Sequence, residues 1–224
     1  MASQAPVPRT PLSRDRVLRA AVEIADADGL QAATMRRIGE SLGAEAMSLY
    51  YHVANKNDLL DGLVDVLMDE ITEAVDGDRP ADDWKQALRQ RILSARQVML
   101  RHRWAPGLLE GRTSMRPAVV LYHDQLVGLM RSGGFSYDLA HHALHALGSR
   151  ALGFSQELFD PSAGAGEVSD RMLAELASQV PNLAGMLAEI AHDDPESTIG
   201  WCDDQAEFEF ALDLILDGLE RLNS

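Results

Sequence analysis

The sequence of 224 residues contains one cysteine, Cys202. No disulfide can form within the chain, and a reducing, cytoplasmic setting is expected. No apolar run approaches the ~20 residues that a membrane span needs. The opening stretch MASQAPVPRTPLSR lacks the apolar segment of a secretory signal, so no membrane partner is expected. Aromatic residues make up only 5%, which leaves the core to aliphatic side chains. No segment alternates with period two among β-branched residues, so strands are not expected. A nucleophile elbow, a phosphate loop, an HExxH pattern and a spaced carboxylate–histidine metal motif are all missing. No catalytic residue, cofactor or metal is therefore expected. His141 and His145 have the i, i+4 spacing of a metal pair, but no clear third ligand stands with them.

Positive charge is also short. Lys and Arg number 20 against 35 Asp and Glu, for a net charge of -15. Taken over the whole chain, that balance opposes binding to phosphate. Its distribution changes the reading. Residues 1–58 hold Arg9, Arg14, Arg16, Arg19, Arg36, Arg37 and Lys56 against Asp15, Glu23, Asp26, Asp28, Glu40, Glu45 and Asp58, and are neutral. All the excess acid lies beyond them, and four arginines cluster in residues 9–19. Such asymmetry is a better clue to partners than the total.

What is present is helical periodicity. Residues 1–11, with Pro6, Pro8 and Pro11, read as a flexible arm. Ser13 is placed to cap a helix carrying Val17, Ala20, Ala21, Ile24 and Ala25 on one face, stopped by Gly29. Thr34 caps a second helix with Met35, Ile38 and Leu42 inward. Gly43 then allows a tight turn without a Cβ clash. EAMSLYYHV forms a third helix. Asn55 or Asn57 caps a fourth, with a stripe from Leu59 to Ile71. A linker rich in Gly, Pro and Asp spans 76–83. Helices are expected near 83–102, 117–132, 136–159, 169–180, 182–192 and 203–222, with a loop at 160–168. The fold class is all-α: an N-terminal three-helix helix-turn-helix domain plus a helical C-terminal domain.

The second and third helices have the form of a helix-turn-helix, whose second helix enters the major groove of double-stranded DNA. With Ile38, Leu42 and Leu49 inward, the exposed faces fall to Glu45, Ala46, Ser48, Tyr50, Tyr51 and His52. A half-exposed Tyr-Tyr-His cluster suits donation to phosphates and base edges.

These residues resemble the DNA-binding domain of tetracycline-repressor-type (TetR-family) regulators. The likeness runs through Gly29, Thr34, Arg36, Ile38, Leu42-Gly43, Leu49-Tyr50, His52-Val53, Asn55-Lys56 and Leu59-Leu60. It implies a DNA-binding domain over 12–71, with the helix-turn-helix near 34–53 and a ligand-binding and dimerisation domain over 76–224. It also implies DNA contacts from Thr34, Arg36, Met47, Ser48, Tyr50, Tyr51, His52 and Lys56. Met47 and Ser48 stand at the base-facing start of the recognition helix, and Lys56 faces phosphate.

The C-terminal part is compatible with that role on its own residues. Phe208, Leu212, Ile215, Leu216, Leu219 and Leu222 form a stripe in the last helix. Ala140, Ala143, Ala146, Leu147, Ala151 and Phe154 line the 136–159 helix. Together they suggest a homodimer through an intersubunit four-helix bundle. Candidate ligand contacts are Met99, Trp104, Met115, Arg116, Gln125 and Phe154. The resemblance places Thr72, Arg91 and Ala95 roughly where tetracycline sensors have imidazole, amide and aromatic side chains, which argues against magnesium-tetracycline as inducer. The expected function is a repressor released from a palindromic operator by a small-molecule effector. The alternative is an all-α enzyme or small-molecule-binding protein without DNA binding.

Overall fold

A computed structural model of the chain describes residues 11–76, 83–112, 116–153, 179–182 and 204–224. The expected arm at 1–11, the linker at 76–83 and the helices and loop placed between 160 and 192 lie wholly or largely outside those residues. Nine helices and no strand stand among the described residues: α1 (Arg14–Asp28), α2 (Met35–Leu42), α3 (Ala46–Leu49), α4 (Lys56–Asp76), α5 (Trp84–Arg101), α6 (Ala105–Glu110), α7 (Pro117–Ser132), α8 (Tyr137–Gly153) and α9 (Asp204–Leu222). The chain divides into two compact units, Met1–Leu144 and His145–Ser224.

The helix boundaries follow from local chemistry. Ser13 accepts the Arg16 N–H, Thr34 the Arg37 N–H, Asn55 the Asp58 N–H and Asp83 the Gln86 N–H. Each side chain satisfies one of the donors that a helix start leaves unpaired. Asn55, not Asn57, is therefore the α4 cap. Pro117 opens α7 at the first helical position, where no N–H is needed.

In the first unit the core lies where α1 and α4 cross. Val17, Leu18, Ala21 and Ala25 of α1 and Leu63, Val64, Leu67 and Ile71 of α4 are buried, joined by Ile38, Leu49 and Val53. Each fully buried Val, Leu or Ile contributes about 1.5–3 kcal/mol. A helix as short as α3, which could not persist alone, is thereby held by Leu49.

Two glycines shape the turn between α2 and α3, for different reasons. Gly43 ends α2 at φ 62°, in the left-handed region, with its N–H on the Glu40 carbonyl. A Cβ there would meet nothing within 4 Å, so its conformation matters rather than a clash. The steric limit sits at Gly39, where a Cβ would lie 2.8 Å from the Ala44 oxygen and 3.3 Å from the Ala46 nitrogen. Gly43 thus makes the tight turn expected of it, and the close approach at Gly39 is an additional constraint. The third helix is also shorter than EAMSLYYHV. The Val53 N–H still reaches the Leu49 carbonyl at 2.9 Å, but the next amide, Ala54, turns to the Asp58 carboxylate at 2.7 Å and leaves the helix.

Four carboxylates of α4 organise the rest of this unit. Asp58 takes the Arg14 guanidinium through both oxygens, at 2.7 and 3.1 Å, and Arg14 Nη1 also donates to the His52 carbonyl at 2.9 Å. The Arg14 and Ala54 hydrogen bonds hold the Asp58 carboxyl below its ordinary range, and the Asp58 hydrogen bond raises Arg14. Arg112 pairs with Asp61, and Arg116 with Asp65. Glu70 accepts from Arg101 at 3.0 Å and faces His102 Nε2 at 3.0 Å.

His102 closes α5 and is buried between two helices. Its Nδ1 lies 2.8 Å from Asp26 of α1, and the Trp104 indole donates to the same Asp26 oxygen at 2.7 Å. Burial lowers the imidazole pKa. The hydrogen bonds to Asp26 and Glu70 outweigh it, so the net shift is upward from 6.5. With both ring nitrogens on carboxylates, the imidazolium is the form that fits.

Within the second unit, α9 presents two faces. Phe208, Leu212, Leu216 and Leu219 are buried, whereas Phe210, Leu214 and Leu222 are exposed. The stripe expected to meet a partner is thus mostly buried within this single chain. Helical spacing leaves a second, shorter apolar face outward.

Gly39→Ala drives a Cβ into backbone and should cost about 1–3 kcal/mol in denaturant unfolding. Gly128→Ala, where a Cβ meets nothing within 4 Å in mid-helix, should stabilise by about 0.5–1 kcal/mol. A raised histidine stabilises fully below its unfolded value of 6.5 and loses that contribution as pH rises through its folded value. The melting-temperature gap between wild type and His102→Gln should therefore be widest near about pH 6 and shrink towards about pH 9. A constant gap across that range would show that no imidazolium bridge exists.

Candidate nucleic-acid interface and sensor site

The residues expected at DNA lie at the start of α2, on α3 and the turn after it, and at the start of α4. Tyr51 is 90% exposed, Met47 73% and Tyr50 45%. A methionine and two tyrosines exposed within five residues serve no packing purpose, because the inward position of α3 is filled by Leu49, fully buried. Ser48 is half-buried and its hydroxyl donates to the Glu45 carbonyl at 2.6 Å. Its oxygen retains lone pairs for an outside donor.

The flanking groups also face outward. Thr34 is exposed while capping α2. Arg36 is exposed, with Glu40 at 3.6 Å one turn on. An exposed i, i+4 pair of this kind contributes little, so phosphate could readily replace Glu40. Its neighbour Arg37 is engaged by Asp28 instead. Lys56 is the exposed first residue of α4 and has no ion-pair partner among the described residues. His52 is half-buried, and its carbonyl is the oxygen held by Arg14.

Arg14 and Asp58 hold the backbone after α3, a positioning that the sequence did not reveal. They touch no expected base or phosphate position. Instead they tie the end of the recognition segment to the starts of α1 and α4. Arg14 stands in the sequence as one of four arginines in residues 9–19, and a partner 44 residues away leaves no local signal. Gly39 could have been found, since a glycine inside a helical pattern marks a close approach.

The residues expected at a ligand are only partly brought together. Gln125 of α7 accepts from Arg91 Nη1 of α5, and Met99 is buried further along α5. Arg116 is committed to Asp65 and Asp61, which raises its pKa through the Asp65 hydrogen bond. Trp104 does not join this group. Its indole N–H prefers the Asp26 carboxylate, so it lines a surface cleft with Ala25, Gly29, Arg101 and Arg103. Met115 and Phe154 lie outside the described residues. Tyr122, not singled out from the sequence, stands on the same face of α7 as Gln125. Burial pushes its hydroxyl up to about 12, against the opposing pull of Arg91. Among the described residues no group of three or more His, Cys, Asp or Glu gathers to hold a metal, and no helix is long and apolar enough to cross a membrane.

Comparison with known proteins bears on both regions. Residues 17–63 match the family described as bacterial regulatory proteins, tetR family. Residues 76–222 match the tetracyclin repressor-like C-terminal domain. The tetracycline repressor protein class C of Escherichia coli is 31% identical, over 94% of this chain and 92% of its own length. The HTH-type transcriptional repressor DrrR1 of Streptomyces coeruleorubidus is 29% identical, over 96% of this chain and 80% of its own. The solved structure of the TetR family protein ActR from Streptomyces coelicolor in complex with actinorhodin aligns with a TM-score of 0.67 at 29% identity, covering 96% of this chain and 100% of that one. Together the two matched domains, over an exposed Met47–Tyr51 segment and the helices that follow it, make the assignment: the chain belongs to the TetR family of bacterial transcriptional regulators.

Proposed function

We propose that this regulator is a repressor that binds a palindromic operator as a homodimer and is released by a small molecule held in the C-terminal domain, 76–224. The DNA-binding domain is 12–71. The observation that carries the reading is the exposed Met47–Tyr51 segment flanked by Lys56 and Arg36, which presents apolar, hydroxyl and cationic groups on one edge. Met47 and Ser48 enter the major groove, where the thioether meets a thymine methyl and the hydroxyl a base edge. Thr34, Arg36, Tyr50, Tyr51, His52 and Lys56 hold the backbone on either side and fix register. The ligand reading draws support from ActR, solved with actinorhodin, and from the polar pair Arg91–Gln125 bridging α5 and α7.

A two-fold dimer matches half-sites one helical turn or a multiple apart. The helices near 136–159 and 203–222 supply its interface, through the outward face of α9 at Phe210 and Leu214. Ligand acts by binding the DNA-incompetent geometry more tightly than the competent one, since equal affinity would shift nothing.

The roles separate in gel shifts run across salt concentrations. Lys56→Ala should weaken specific and non-specific DNA alike and flatten the salt slope by about one unit. Met47→Ala should instead alter the preferred sequence at about one base pair, with a cost of about 1–3 kcal/mol at that position and an unchanged slope. Identical behaviour of the two variants would contradict the division between phosphate and base contacts. Phe210→Arg combined with Leu214→Arg should sediment as a monomer and lose operator binding.

A further inference from the structure

We propose that the sensor site takes an acidic ligand, a small and largely apolar molecule whose carboxylate or phenolate seats against the Arg91 guanidinium with the Tyr122 hydroxyl donating beside it. This inference rests on the ligand-responsive reading above and names the chemistry of that ligand.

Arg91 differs from the arginines that pair with α4. Arg14, Arg101, Arg112 and Arg116 each hold a carboxylate, on Asp58, Glu70, Asp61 and Asp65. Arg91 has no carboxylate within ion-pair distance among the described residues. Its Nη1 donates to a neutral acceptor, the Gln125 amide oxygen. Its Nε is shielded from solvent with no acceptor at all. Arg112 Nε is similarly orphaned, but Arg112 is already neutralised by Asp61. A partly buried cation without a counter-charge is costly, and an anion removes that cost.

The unused donors define the anion. With Nη1 committed to Gln125, the remaining edge is Nε–H and Nη2–H. These two bonds run parallel and match the two oxygens of a carboxylate. A magnesium chelate or an amine would find the wrong charge here. Tyr122, one turn before Gln125, is half-buried and has no hydrogen-bond partner among the described residues. Its raised pKa keeps it a neutral donor, which suits an anionic or carbonyl oxygen. Along α5, Ala95 and Met99 follow at one and two turns, both buried. The polar end thus leads into an apolar wall, and Met adapts to irregular shapes.

The test uses the full chain and matched pairs of aryl carboxylic acids and their methyl esters, beginning with 1-hydroxy-2-naphthoic acid and methyl 1-hydroxy-2-naphthoate. Thermal shift and calorimetry should show the acids binding wild type about tenfold or more tighter than the esters. Arg91→Gln should lose that preference, while Arg91→Lys keeps the charge without the parallel edge and retains part of it. Tyr122→Phe removes only the hydroxyl and should weaken acids a few-fold, with the fold intact by circular dichroism. The proposal is overturned if no acid in the panel binds wild type, or if acids bind Arg91→Gln and Tyr122→Phe as tightly as wild type. Gel shifts with operator fragments separate the two levels. Acid binding through Arg91 without any specific DNA binding would remove the regulatory reading and keep this one. Release of DNA by the esters alone would do the reverse.

Discussion

The structure of the first unit depends on the acidic edge of α4. Asp58, Asp61 and Asp65 stand at i, i+3 and i+7, so they share one face. Each receives an arginine from elsewhere: Arg14 at the start of α1, Arg112 after α6 and Arg116 at the start of α7. Glu70 adds a fourth anchor through Arg101 and His102. These pairs span 31 to 51 residues of sequence. Hydrophobic burial gives the unit its stability, but it is non-directional and would tolerate rotation of α4 about its axis. A row of carboxylates matched to fixed cations does not. The Arg14–Asp58 pair acts most directly on the segment after α3, because the same guanidinium holds the His52 carbonyl and the same carboxylate holds the Ala54 amide. The recognition segment is thereby positioned by α4 directly.

This pairing changes the meaning of the acidic composition. The net charge of -15 suggests a molecule that repels DNA. Part of the acid in α4 is internally neutralised, and the first 58 residues are balanced. What faces outward around α3 is Met47, Tyr50 and Tyr51, with Lys56 and Arg36 at the flanks. Hydroxyls and one methionine carry little charge, so affinity at this edge leans on geometry and a few cations. Weak non-specific binding and a shallow salt dependence are the physical corollary.

Much of the fold was legible because it is local. Ser13, Thr34 and the Pro117–Ser132 helix were placed from caps and periodicity alone, and the inward residues Ile38 and Leu49 from spacing. The exposure of Met47, Tyr50 and Tyr51 was legible too, once the inward residues were assigned. The pairings were not, since a sequence gives charges without partners. Trp104 illustrates the difference: an isolated tryptophan suggests a cavity wall, whereas the structure gives its N–H to Asp26, 78 residues away. The α9 stripe illustrates another limit. Periodicity finds an apolar face but not what covers it, and burial within the same chain leaves Phe210 and Leu214 outward instead.

Under the proposed function, the same connections would supply a route from ligand to DNA. A molecule seated on Arg91 and Tyr122 bears on α5 and α7. The end of α5 is His102, which grips Asp26 of α1 and Glu70 of α4, and the start of α7 is Arg116, which grips Asp65. Any shift of α5 against α7 must move α4 or break one of these contacts. Breaking is costly where the imidazolium would be left buried beside fewer carboxylates. Moving α4 carries Asp58, and with it Arg14 and the His52–Ala54 backbone. In that reading, a displacement at the sensor end would be converted into a change in the angle of α3 without any contact between ligand and the residues proposed to touch DNA. What decides the direction is which arrangement of α4 lets the two helices close on the ligand, since only that difference in affinity can shift the equilibrium.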